Sequence, residues 1–283
     1  MLGAGYTCCP KNTKCVNHGG GYSVVSHCVA SDANNATLAA AVLSPPPLHV
    51  VGATDHGACT DATAPGCVGA EVCKTGPPNP YSTSLKNVLV VGDSVSIGYT
   101  PFIAKVMEAT ALVQHSPWGG DGGAEETKYG AACIDNLVRA PDGTTLSPDV
   151  LMFNWGLHNS LAGNCTAPCV PGQSGPPAEY APYLEKIVAG LLAAPALKKT
   201  KLLFAITSPD LCNAPIDHIQ AELNAQAAAI MAKNKIPIVD LYKAITTKCG
   251  AVPQVRSLTN LPGIIRHERS AGRSDDIGRR VLL

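Results

Sequence analysis

Three short segments carry residues that can do chemistry, and each follows a run of apolar residues. The first is Gly92-Asp93-Ser94-Val95-Ser96. A serine on a strand-to-helix turn presents its hydroxyl at the carboxyl edge of a sheet, and the helix that follows offers N–H groups and a positive dipole end to an oxyanion. The same residue types also build turns and helix caps, so this block alone reads more readily as a turn or cap than as a nucleophile. The second is Trp118-Gly119-Gly120-Asp121-Gly122-Gly123-Ala124-Glu125-Glu126-Thr127, a glycine-rich loop running into a helix. Its backbone can approach a ligand closely, and a glycine N–H there can serve as a second oxyanion donor. The third is Asn154-Trp155-Gly156-Leu157-His158-Asn159, which brings an imidazole and a carboxamide to the same edge.

The elements that must hold these blocks are legible in the apolar pattern. Asn87-Val88-Leu89-Val90-Val91 is a short β-branched run ended by Gly92-Asp93, as a strand buried on both faces would be. Similar runs recur at Ala111-Leu112-Val113, Val150-Leu151-Met152-Phe153, Leu202-Leu203-Phe204-Ala205-Ile206 and Ile236-Pro237-Ile238-Val239. Helical patterns lie between them. Pro101 to Ala109 is compatible with a helix; Tyr183, Leu184, Ile187, Val188, Leu191 and Leu192 share one helical face; Ile219, Leu223, Ala227, Ile230 and Met231 share another. His218, beside Asp217, reads as part of the first turn of that last helix. The alternation predicts an α/β fold, a doubly wound parallel five-stranded sheet flanked by helices, with ligands bound beyond the carboxyl ends of its strands.

Taken together and in this order, the three blocks resemble the SGNH (GDSL-type) hydrolases over roughly residues 86 to 250. That family combines a Gly-Asp-Ser block, a later glycine, a Gly-x-Asn block and a terminal Asp-x-x-His. The resemblance implies an SGNH/flavodoxin-like sheet and serine-dependent hydrolysis of carboxylic esters. It makes Ser94 the nucleophile and the Ser94 N–H one oxyanion donor, with Gly122 or Gly123 supplying the second. The position of the family's asparagine is His158, with Asn159 next, and either side chain can donate the third hydrogen bond. At the end the sequence departs from the pattern: His267 is preceded three residues earlier by Ile264, so the supporting carboxylate is absent there. A serine hydroxyl needs a general base, and His267 fills that role only if the machinery is complete. Two functions therefore follow: a serine esterase acting on short acyl or O-acetyl esters, of carbohydrates among others, or a catalytically inactive relative serving as a structural or binding subunit. Neither calls for a cofactor or a metal.

Composition bounds the setting. The 283 residues suffice for one sizeable core and a small satellite, and 21 basic against 21 acidic residues give no global pull toward nucleic acid or an anionic membrane. No apolar run reaches the roughly 18 residues of a membrane span. Twelve cysteines lack zinc-knuckle or redox spacing, which favours disulfides and an oxidising, secreted or lumenal compartment, although no signal peptide is visible at the start. Two sequons, at Asn35 and Asn164, agree with secretion, and Cys165-x-x-x-Cys169 reads as a disulfide at the mouth of the site rather than a ligand pair.

Residues 1–84 form a cysteine-rich module with a Pro- and Gly-rich linker, suited to a protein or glycan partner; residues 85–250 form the α/β domain. Seven cysteines lie in the first part and five beyond it. Both counts are odd, so complete pairing requires at least one bridge between the two parts. Residues 251–283 hold six of the seven arginines and no lysine, and read as an irregular basic tail or as an end replaced by a splice or frame difference.

Overall fold

A computed structural model describes residues 13–18, 25–30, 67–68, 71–78, 81–118, 123–160, 175–210 and 214–250. Gly122, His267, the Cys165/Cys169 pair, both sequons and the basic tail lie outside the described residues.

Near the start, β1 (Thr13–His18) and β2 (Val25–Ala30) form an antiparallel hairpin with Cys15 opposite Cys28, and β3 (Cys67–Val68) pairs with β4 (Glu71–Val72). The main sheet is built from β5 (Lys86–Val91), β6 (Ala111–Ser116), β7 (Val150–Phe153), β8 (Lys201–Ala205) and β9 (Ile238–Val239). All pairings are parallel and the order is β6-β5-β7-β8-β9, so all five expected strands are present in a doubly wound sheet. The chain moves outward from β5 in one direction to β6 and in the other through β7. The crevice this leaves at the carboxyl ends is where open α/β sheets bind ligands.

Period-two alternation divides the β5 side chains between two cores. Leu89 and Val91 join Leu151, Phe153 and Phe204 beneath α2 (Thr127–Leu137), α4 (Pro177–Ala193) and α5 (Ala214–Lys233). Val88 and Val90 join Ala111 and Val113 under α1 (Ser94–Met107), which contributes Tyr99, Ile103 and Met107. Each fully buried aliphatic side chain contributes about 1.5–3 kcal/mol, which fixes the strand register and hence the height of the residue that follows each strand. The α4 face buries Leu184, Ile187, Val188 and Leu191 as expected, but Leu192 is 51% exposed, one helical step beyond the buried stripe. The short α3 (Leu157–Ser160) and α6 (Leu241–Cys249) complete the unit.

Two boundaries differ from the sequence reading for local reasons. Helix α1 begins at Ser94, where Asp93 caps it, and continues through Pro101 although proline takes one N–H out of the helical ladder. Strand β9 begins only at Ile238: Pro237 has no N–H to give to a ladder, and the Ile236 N–H turns back to the Met231 carbonyl at 2.9 Å.

A disulfide joins Cys73 to Cys133 on α2, and this is a bridge between the first 84 residues and the remainder, as the odd counts require. Beside it, the Gly76 N–H donates to the Arg139 carbonyl at 2.7 Å and the Trp118 N–H donates to the Thr75 carbonyl at 2.8 Å. No helix among the described residues is long and apolar enough to cross a membrane.

Candidate active site

Strand β5 is buried up to its end, so Gly92 and Asp93 emerge at the carboxyl edge with no freedom to drift. The Gly92 N–H donates to the Ser116 carbonyl at 3.2 Å, and the Gly92 carbonyl accepts from the Ala124 N–H at 2.8 Å. The Asp93 side chain is fully buried; its Oδ1 accepts from Val95 N–H at 2.9 Å and Ser96 N–H at 3.4 Å. Ser94 is the first residue of α1 and is exposed. Its hydroxyl therefore stands at a solvent-facing bend over a buried sheet, where the helix dipole favours negative charge.

Gly123 forms an isolated antiparallel bridge with Asp93 and adopts φ +68°, which favours glycine. A Cβ at that position would sit 2.7 Å from the Asp93 Cα and carbonyl carbon, and closer still to the Gly92 carbonyl oxygen. The glycine loop thus lies directly on the backbone that carries Ser94.

From β7 the Asn154 N–H donates to the Val91 carbonyl at 2.9 Å, and Asn154 Nδ2 donates to the Ala205 carbonyl at 2.6 Å, which pins the third block between β5 and β8. Trp155 Nε1 reaches the Ala124 carbonyl at 3.0 Å, tying this block to the glycine loop. A Cβ on Gly156 would collide with Thr207 Oγ1, so only glycine permits the turn into α3. That turn delivers His158 and Asn159, both buried.

The two candidates for the third donor part company here. His158 lies close enough to Asp93 to act on its charge. Burial raises the Asp93 carboxyl above the ordinary carboxylate range, and the positive charge of His158, followed by the Ser96 and Val95 N–H groups, pulls it back. Asn159 instead turns its Oδ1 to the Thr127 N–H at 3.1 Å, at the start of α2, where Glu126 accepts from Lys128 N–H at 2.6 Å and Tyr129 N–H at 2.9 Å. The Asn159 Nδ2 is buried with no hydrogen-bond partner among the described residues. His218 is exposed on the first turn of α5, 3.3 Å from Glu222. Its neighbour Asp217 is buried and accepts from Asp210 N–H at 3.1 Å and Tyr242 O–H at 2.8 Å.

A second serine–histidine contact was not anticipated. Ser96 Oγ lies 2.6 Å from His115 Nε2 and 2.6 Å from the Asp93 carbonyl oxygen, while His115 Nδ1 faces the Pro117 carbonyl at 3.2 Å. Burial pushes the His115 imidazole down to about 4, the Pro117 carbonyl opposing this only in part, so the ring is neutral near pH 7. One ring proton and one hydroxyl proton must serve three contacts. They satisfy both 2.6 Å contacts when Nε2–H donates to Ser96 and the Ser96 O–H donates to Asp93, which leaves the longest contact without a proton. Ser96 and His115 therefore brace the bend from beneath rather than open onto solvent. A signal for His115 existed: it shares strand parity with Ala111 and Val113, so a polar group was due in that buried face.

No protein-family model matches the chain, and no curated protein matches it. Among solved structures it is similar to an acetyl xylan esterase, at 13% identity and a TM-score of 0.44 over 57% of this chain and 80% of that one. It is also similar to a catalytic mutant of Axe2, an acetylxylan esterase from Geobacillus stearothermophilus, at 14% identity and a TM-score of 0.45 over 60% and 81%. A member of the lipolytic protein G-D-S-L family from Veillonella parvula is similar at 17% identity and a TM-score of 0.41 over 57% and 81%.

Proposed function

We propose that this protein is a serine-dependent carboxylic-ester hydrolase of the SGNH type, acting on short acyl or O-acetyl esters, including those of carbohydrates. The observation that carries the reading is the exposed Ser94 at the start of α1, on backbone pressed against a left-handed Gly123. Ser94 Oγ attacks the ester carbonyl carbon and gives up its proton to an imidazole. The carbonyl oxygen takes the electron pair and is held by the N–H groups of Ser94 and Gly123 and by the side chain of His158. Collapse of that adduct expels the alcohol, which receives the proton, and leaves an acyl group on Ser94; water then repeats the sequence and releases the acid.

His267 is the proton acceptor by resemblance to the family. A second assignment gives that role to His158, which the turn after Gly156 brings, buried, to the same sheet edge as Asp93. His158→Ala and His267→Ala separate the two, since loss of the base removes the rise of kcat/KM with pH whereas loss of an oxyanion donor lowers the whole profile. The disulfide between Cys73 and Cys133 supports an oxidising, secreted or lumenal setting.

The test is hydrolysis of p-nitrophenyl acetate, butyrate and octanoate and of acetylated xylan, with fluorophosphonate labelling of the folded protein. The expected result is turnover falling with acyl length and label on Ser94. A folded protein that neither turns over an ester nor takes the label is instead the inactive scaffold.

A further inference from the structure

The segment Val72–Gly76 crosses from the cysteine-rich part to the α/β domain and is fastened at successive residues. Tyr129 O–H donates to the Val72 carbonyl at 3.2 Å, Cys73 is bonded to Cys133, the Lys74 N–H donates to the Tyr129 hydroxyl at 2.8 Å, and Thr75 and Gly76 bond to Trp118 and to the end of α2. The side chain of Lys74 is thereby aimed inward, only 13% exposed. Its Nζ forms an ion pair with Glu125 Oε1 at 2.8 Å, lies 5.7 Å from the Tyr129 ring centroid, and approaches the Gly123 carbonyl at 3.4 Å.

The peptide unit after Gly123 is therefore held from two sides. Its oxygen faces the Lys74 ammonium, and its N–H, that of Ala124, donates to the Gly92 carbonyl beside the nucleophile. Gly123 at φ +68° and Glu125 at φ +50° are both left-handed, and a non-glycine residue in that region costs about 1–2 kcal/mol, so this loop needs an external hold to keep its shape. A half-buried cation against a buried carboxylate, and against the Gly123 carbonyl beside the bend, supplies that hold.

We infer that Lys74 is a positioning residue for the oxyanion side of the site, holding the peptide after Gly123 so that Gly123 stays seated against the bend that carries Ser94. This rests on the esterase reading above and gives the fastened strap a catalytic consequence. Lys74 touches no reacting atom. It acts through the loop, so its loss weakens a contact made in the transition state rather than the binding of the ester.

Lys74→Met alone strands the Glu125 carboxylate in the interior and threatens folding. The informative variant is Lys74→Met with Glu125→Gln, which removes both charges together, compared with Lys74→Arg, which keeps a cation and its N–H donors. Each is assayed for p-nitrophenyl acetate kcat and KM, for the rate of fluorophosphonate labelling at Ser94 and for thermal unfolding. The expected result for the folded double variant is a kcat lower by about tenfold to a hundredfold, KM within about twofold, and labelling slowed in step, with Lys74→Arg recovering most of the loss. A wild type that labels at Ser94 beside a folded double variant with unchanged kcat overturns the role of Lys74. A wild type that does not label overturns the esterase reading itself.

Discussion

Replacing Gly123 by alanine puts a methyl group where the structure has backbone. The added Cβ meets the Asp93 Cα and carbonyl carbon at 2.7 Å and the Gly92 carbonyl oxygen closer still, where ordinary contact begins near 3.4 Å, so the loop must retreat from the bend by at least about 0.7 Å. Alanine at φ +68° adds about 1–2 kcal/mol of conformational strain. A displacement approaching 1 Å costs on the order of a hundredfold in rate, and complete loss of an oxyanion donor costs about a hundredfold to a thousandfold. The expected kcat for p-nitrophenyl acetate is therefore about a hundredfold below wild type, with KM little changed. Gly143 provides the control: it sits at φ +84° with nothing within 4 Å of an added Cβ, so Gly143→Ala carries the same strain without touching the bend. Gly143→Ala should lose about 1–2 kcal/mol in urea unfolding and Gly123→Ala at least as much, and only Gly123→Ala should lose turnover. Gly123→Ala turning over within about twofold of wild type, or Gly143→Ala losing as much, refutes the reasoning.

His115, buried and pushed down to about 4, binds fewer protons in the folded chain than in the unfolded one, whose value is near 6.5. Its contribution is thus complete above pH 6.5 and is lost as the pH falls toward 4, a change of about 2 kcal/mol between pH 7 and pH 4.5 that urea unfolding should register and that His115→Gln should flatten. Removing the Cys73–Cys133 bridge, which spans 60 residues, should cost about 4 kcal/mol of stability, read as a lower denaturation midpoint in Cys73→Ala/Cys133→Ala. Asp93→Asn keeps an acceptor for the Val95 and Ser96 N–H groups and should match wild type in thermal unfolding at pH 7, whereas Asp93→Ala loses the cap and about 1 kcal/mol.

The sheet was legible because each strand holds a short apolar run, and the β-branched run Val88 to Val91 is buried on both faces. The order of the three blocks was legible for the same reason, since each follows a strand end. Three features were not. The start of α1 at Ser94 depended on Asp93 acting as a cap, which composition does not distinguish from a turn. The His115–Ser96 contact joins residues on different elements, and sequence separation hides such a pair until the strand is laid beside the helix. Lys74 lay in a stretch of glycine and proline that reads as linker; its importance arises from the disulfide and the Tyr129 hydroxyl that turn its side chain inward.

Ser94 as a nucleophile is tested most directly by intact-protein and peptide mass spectrometry after incubation with a fluorophosphonate, with Ser94→Ala and Ser96→Ala in parallel. One phosphonyl group on the Ser94 peptide is expected in wild type, none in Ser94→Ala, and continued labelling at Ser94 in Ser96→Ala. Label on Ser96, or none on a folded wild-type chain with its Cys73–Cys133 bridge intact, contradicts the account.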